Sequence, residues 1–256
     1  GLAHERVVTF DDIATWNNRY NLPVMMTATC EFSSFDQPDP GDVSAGVRIL
    51  LRPEGGAVAL YTTTRLAWAG TNFVLNDHFM RHAFQRMDNG EMPRLGDIIR
   101  MAKVSSSGML HPWRISNFVL LGDPSMQMGY PELNVITESA PDTIRAFEKV
   151  SISGFIADQN GQIAESYQGM VFPTVFDKKT AYQTLANASG SFKAPFYLRD
   201  AMLFRGQAPV VDGRFHFEFV VPRDISYHFG EGFISYYADN GIQDAHGAFD
   251  GFVVGG

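Results

Sequence analysis

In Leu22-Pro23-Val24-Met25-Met26-Thr27-Ala28-Thr29-Cys30-Glu31-Phe32, residues Pro23 to Thr29 read as a buried strand with a thiol, Cys30, at its end. A short apolar run, opened by proline and closed by polar residues, is the pattern of a strand covered on both faces. In an open α/β sheet the carboxyl ends of the strands gather chemistry, because side chains there leave a rigid core and enter a crevice. Cys30 is the only cysteine in 256 residues. A lone thiol at a strand end is a candidate nucleophile. The alternative is a buried cysteine acting as a small hydrophobe.

Outward from this strand, helices and strands alternate. Thr9 to Asn17 predicts a short helix, with Thr9 as cap and Asp11 and Asp12 in its first turn. Ser44 to Leu51 predicts a second helix, closed by Arg52-Pro53 and Gly55-Gly56. Ala57 to Thr62 is a buried strand. Asn72 to Met87 is a helix whose apolar residues Phe73, Leu75, Phe79, Met80, Ala83, Phe84 and Met87 recur near a 3.6-residue period. Leu95 to Lys103 is another helix, and Phe118 to Leu121 a third strand before Gly122-Asp123-Pro124. Strands separated by helices predict a parallel sheet with right-handed crossovers.

After Tyr130-Pro131 the period changes to two. Val150 to Ile156, Gly169 to Phe176, Phe215 to Val220, Phe233 to Tyr237 and Phe249 to Val254 predict strands, with Asp212-Gly213 as a hairpin turn. Short strands at this spacing predict an all-β immunoglobulin-like sandwich. The expected division is 1–135 and 145–256, with Ser139-Ala140-Pro141-Asp142 as linker. Lys178 to Lys193, polar and rich in small residues, reads as a loop or mobile insertion.

The formal net charge of −8 argues against nucleic acid as a partner. No run approaches the ~18 apolar residues of a membrane helix. One cysteine excludes an internal disulfide framework. Asp36, Asp39 and Asp42 lie in a Pro- and Gly-broken loop after Cys30, without the spacing of a calcium-binding EF-hand. His78 and His82 have zinc-compatible spacing, but Phe79 follows where a zincin would carry its glutamate. No phosphate-cradling or dinucleotide motif is present, so neither cofactor nor metal is expected.

Thr27-Ala28-Thr29-Cys30-Glu31-Phe32-Ser33-Ser34-Phe35-Asp36 resembles the active-site strand of the gingipain-like cysteine peptidases, and within them the surface sortases of type IX secretion systems. Gly55 to Leu60, Thr62-Thr63-Thr64-Arg65-Leu66, Leu120 to Pro124 and Phe217 to Ile225 carry the same likeness, which covers essentially the whole chain. The resemblance implies the C-terminal part of a caspase-like α/β domain with a parallel sheet, followed by the immunoglobulin-like sandwich. It implies a Cys–His dyad in which Cys30 is the nucleophile. It implies a cysteine endopeptidase and transpeptidase that cleaves C-terminal sorting domains from secreted cargo proteins and passes the thioester to an amine on lipopolysaccharide. Such an enzyme would sit on the outer membrane at the cell surface, beside other secretion-system components. The family's catalytic histidine lies in a Gly-His-Gly turn upstream of the cysteine. No Gly-His-Gly is present and His4 lacks that context, so the histidine is expected before Gly1 and the first strands of the sheet with it.

Thr62, Thr63 and Thr64 end the strand next to Cys30. The resemblance makes this the strand of the primary substrate pocket, with Trp68 closing it. A pocket of threonines and tryptophan without an acidic floor suits a small or polar residue better than Arg or Lys. The competing function is a non-catalytic surface binding or scaffold module of a secretion machine, with the aromatic strand Phe215 to Phe219 docking a partner.

Overall fold

The computed structural model describes residues 8–36, 43–187 and 189–256. His4, Asp39 and Asp42 lie outside the described residues. The chain divides into two compact units after Tyr130.

In the first unit, helix α1 (Phe10–Thr15) begins in a capping box. The Asp12 amide donates to Thr9 Oγ1 at 3.2 Å, and the Thr9 amide donates to the Asp12 carboxylate at 2.7 Å. Strand β1 (Val24–Met26), helix α2 (Ala45–Leu50) and strand β2 (Ala59–Thr63) form a parallel crossover, with Val24 opposite Ala59. Helices α3 (Ala69–Ala83), α4 (Leu95–Ser106) and α5 (Pro112–Ser116) lead to strand β3 (Phe118–Leu121). The three strands lie in the order β1-β2-β3, and β3 runs antiparallel to β2 with Phe118 opposite Thr63.

This sheet corrects the expectation of a parallel α/β core of caspase-like form. One helix between two strands returns the chain to the start of the next parallel strand. Here two long helices intervene, so the chain comes back to the end of the sheet from which it left β2. Successive residues of β2 serve opposite faces. Ala59 and Tyr61 pack with Leu75, Phe79, Leu95 and Phe118, while Leu60 packs with Ile13, Phe32 and Ile49. Tyr61 stacks on Phe79 at 5.4 Å and is fully buried. Along α3 only Leu75, Phe79 and Ala83 of the expected apolar face are buried; Phe73, Met80 and Phe84 are exposed.

The second unit contains β4 (Leu133–Ser139), β5 (Thr143–Ile144), β6 (Lys149–Ala157), β7 (Gly169–Phe176), β8 (Thr180–Gln183), β9 (Pro195–Leu198), β10 (Met202–Arg205), β11 (Ala208–Val211), β12 (Arg214–Val220), β13 (Gly230–Glu231), β14 (Phe233–Asp239), β15 (Asp244–Phe249) and β16 (Val253–Val254). Seven of these close on themselves in the order β7-β11-β12-β6-β4-β15-β14, the ring completed where β14 pairs antiparallel with β7 from Phe233–Phe176 to Asp239–Met170. Only β15 and β4 run parallel within the ring. The unit is therefore a closed barrel, and the expected two-sheet immunoglobulin-like sandwich is not formed. Taken whole, the chain is mostly β with few helices.

Period-two burial is the same in both architectures, so alternation does not distinguish them. Closure depends on which strand edges hydrogen-bond. The stretch expected as linker begins with the last residue of β4 and leads directly into β5. The stretch expected as a loop contains β8, which pairs antiparallel with β9 just beyond it, Thr180 opposite Leu198. Asp212-Gly213 makes the hairpin turn expected of it, both residues having positive φ (50° and 73°).

The barrel interior is aromatic. Phe204 stacks on Phe219 at 4.8 Å and on Phe217 at 5.6 Å, and Phe215 lies 5.8 Å from Tyr236. Gly154 sits opposite Phe215, where an added Cβ would lie 2.2 Å from the Ile136 carbonyl and 2.6 Å from the Phe215 ring. Gly154→Val is therefore expected to destabilise by roughly 2–3 kcal/mol through overpacking, read as a lower denaturant midpoint. Gly70→Ala, at a helical position with nothing within 4 Å of the new Cβ, is expected to leave the midpoint unchanged or slightly raised.

Candidate active site

The loop after β1 is joined edge to edge to the second half of β2 and to the loop that follows it. The Thr27 amide donates to Tyr61 O at 3.0 Å, the Ser33 amide to Thr63 O at 2.9 Å, and the Glu31 amide to Arg65 O at 3.2 Å. Buried hydroxyls add a second layer. Thr62 Oγ1 lies 2.9 Å from both Thr27 Oγ1 and Ser33 Oγ, and the Thr63 hydroxyl donates to the Thr29 carbonyl. Gly46, in the first turn of α2, donates its amide to Phe32 O at 2.9 Å. A Cβ there would lie 1.7 Å from Ser33 Oγ, so only glycine allows this approach.

Cys30 sits on this framework, half-buried. Its Sγ donates to Ala67 O at 3.0 Å and accepts from the Ala67 amide at 3.3 Å. Glu31 follows with φ of 52°, a left-handed conformation that turns the chain sharply just past the sulfur. A thiol attacks a carbonyl as thiolate, so the chemistry needs a base within reach of the sulfur. Among the described residues the thiol's partners are the two backbone groups of Ala67. His78 pairs with Ser106 at 2.7 Å and His82 with Ser105 at 2.9 Å, between α3 and α4. Burial pushes the His82 imidazole down from its ordinary value, helped by the nearby His78.

Arg65 closes the framework from outside with two hydrogen bonds to Asp36, at 2.9 and 2.6 Å. They hold the Asp36 carboxyl below its ordinary range, and Glu31 adds to the charge that raises Arg65. A depressed carboxylate contributes above its unfolded pKa and loses its contribution as pH falls through the folded value. This tie is thus intact from neutral pH down to the ordinary carboxylate range and opens only below it.

The structure places the expected site residues unevenly. Thr62 and Thr63 are fully buried, their hydroxyls used within the framework. Thr64 is half-buried, and its amide donates to Asn117 O at 2.9 Å. Trp68 is exposed, with the Arg114 guanidinium 5.5 Å from its ring centre. An open groove of about 460 Å³ begins at Ala28 and Ala69 and runs along Asn72, Phe73, Asn76, Asp77 and Met80 of α3, without Trp68. Asn72 Oδ1 and Asn76 Oδ1 are buried there without hydrogen-bond partners. None of these groove residues, nor Ala67, stands out in the sequence as a site residue. The available signal was the surplus apolar stripe of α3, since Phe73 and Met80 are more than its core face needs.

Thr62→Val keeps the shape but removes the hydroxyl shared by Thr27 and Ser33. The expected loss is about 1–3 kcal/mol, with faster alkylation of Cys30 as its loop loosens. Thr64→Val removes only a 3.3 Å contact and is expected to change neither. Asp36→Asn is expected to leave the melting temperature unchanged and to quicken Cys30 alkylation at neutral pH, where the carboxylate is held ionised by Arg65.

Residues 1–129 match the model of peptidase family C25. No curated protein matches. Among solved structures, dimeric latent PorU from Porphyromonas gingivalis is 29% identical, with a TM-score of 0.47, covering 68% of this chain and 17% of its own. The Arg-specific cysteine proteinase gingipain R (RgpB) is 14% identical, with a TM-score of 0.42, covering 93% of this chain and 48% of its own. The complex of Porphyromonas gingivalis RgpB pro- and mature domains is 13% identical, with a TM-score of 0.40, covering 93% and 49%. The chain thus spans under a fifth of the PorU chain and about half of gingipain R. With half of its length matched, and with its single thiol on a braced loop inside the matched half, the chain belongs to peptidase family C25, the gingipain family.

Proposed function

We propose that Cys30 is the nucleophile of a cysteine endopeptidase that acts as a transpeptidase. Its substrates are secreted cargo proteins whose C-terminal sorting domain is removed, and its acceptor is an amine of surface lipopolysaccharide. The observation that carries this reading is the thiol itself: half-buried, held between two backbone groups of Ala67, and based on a doubly hydrogen-bonded framework inside the family-matched half.

In this reaction a histidine base takes the thiol proton, and sulfur attacks the scissile carbonyl. The C–N bond breaks, the sorting domain leaves with the proton on its new amine, and a thioester remains. An acceptor amine then attacks the thioester, forming the amide and returning the proton to sulfur. Attack requires the sulfur to leave the Ala67 carbonyl, which frees the Ala67 amide as a donor beside the reacting carbonyl. The groove from Ala28 along α3 is open enough to take a side chain of the bound peptide. Its unpartnered asparagine oxygens favour a polar group that donates hydrogen bonds. Work at the outer membrane with other secretion-system components belongs to the same proposal.

In the full-length protein, Cys30→Ala is expected to leave cargo with its sorting domain attached and the fold unchanged. Unaltered processing would overturn the assignment. Hydrolysis and transfer separate by mass spectrometry with added glycine as a soluble amine. Transfer predicts cargo ending in the added glycine, and hydrolysis a free carboxylate.

A further inference from the structure

Arg114, on the short helix α5, has no acidic partner among the described residues. Its guanidinium carbon lies 5.5 Å from the centre of the Trp68 ring and 5.3 Å from that of Trp113, so it contacts both indoles. Its Nε is buried without a hydrogen-bond partner, and among the described residues no carboxylate stands within ion-pair distance. An unpaired guanidinium is unexpected in a chain with eight more acidic than basic residues. Both indoles are reachable, Trp68 being 61% and Trp113 49% exposed.

The cluster stands next to the thiol. Trp68 shares a peptide bond with the Ala67 carbonyl that accepts the hydrogen bond from Cys30 Sγ. Asn117, three residues beyond Arg114, donates to Leu66 O at 2.9 Å and accepts from the Thr64 amide at 2.9 Å, which fixes the end of α5 against the loop after β2. The antiparallel course of β3 makes this possible, because it brings the segment before β3 to the end of the sheet where Cys30 lies.

We propose that Arg114, in contact with Trp68 and Trp113, is a carboxylate subsite that selects peptide substrates carrying a glutamate or aspartate near the bond Cys30 attacks. A guanidinium is planar, contact with the indoles restricts its orientation, and a planar carboxylate matches its fork with two parallel hydrogen bonds. Exposed indoles alone would take an apolar side chain; the unpaired cation in contact with them selects for charge. The same cation repels a basic residue at this place. This assignment rests on the peptidase reading of Cys30, naming a substrate feature for that site.

The test is made on the Cys30→Ala chain, where binding is separated from chemistry, by tryptophan fluorescence with two peptides. One is acetyl-Ala-Ala-Glu-Ala-Ala-amide and the other carries Gln in place of Glu. The glutamate peptide is expected to bind at least tenfold more tightly at low salt, with the difference shrinking as salt is added. Arg114→Gln is expected to erase the preference, and Arg114→Lys to restore only part of it. Equal binding of the two peptides would overturn the proposal. So would displacement by inorganic phosphate at a tenth of the peptide concentration, which would make the ligand a phosphate. If Arg114→Gln fails to fold, the glutamate–glutamine comparison and its salt dependence on the Arg114 chain decide alone. Failure of the peptidase reading shows differently, as no thioester on Cys30 in the full-length protein while the glutamate preference persists.

Discussion

The candidate site depends on one set of hydrogen bonds, those joining the loop after β1 to the second half of β2 and the loop that follows it. A loop carrying a thiol is ordinarily free to sample many conformations, and fixing each residue costs about 1–2 kcal/mol of conformational entropy. Here the amides of Thr27, Glu31 and Ser33 and the hydroxyls of Thr27, Ser33, Thr62 and Thr63 are all engaged with the neighbouring segment. The hydroxyls are buried, so each partner holds the other in place: removing one strands the next without water to replace it. That mutual dependence lets a three-residue strand support a defined sulfur position.

The course of β3 decides what else reaches that sulfur. Because β3 enters the sheet beside the exit of β2, the residues before it gather with Cys30 at one end. Asn117 and Arg114 arrive there by topology. A parallel third strand would have delivered them to the opposite end, leaving Trp68 alone. The expected parallel sheet and the observed mixed one therefore differ in which side chains are available to a substrate.

The second unit rests on a different constraint. Phe215, Phe217 and Phe219 all point inward from one strand, and the ring accommodates their bulk by having Gly154 opposite Phe215. Closure then removes the exposed strand edges that an open sheet of this size would carry.

Much of this was legible in the chain. The lone thiol at the end of an apolar run, the Thr9 cap with Asp12, the change of period after Tyr130 and the Asp212-Gly213 turn are local facts, and local chemistry determines them. Family membership followed from the same residues. Strand direction, barrel closure and the neighbours of Cys30 were not legible, because each depends on pairing between segments far apart in sequence. Periodicity says which side of a strand is buried but is silent on which edge it meets, and so a barrel and a sandwich share one pattern. Thr62 and Thr63 look from sequence like groups lining a pocket. Only packing shows them buried, with their hydroxyls used to hold the loop beneath Cys30. Ala67 carries no chemical signal at all, since it acts through its backbone, and a backbone group acquires a role only when the fold brings it to a partner.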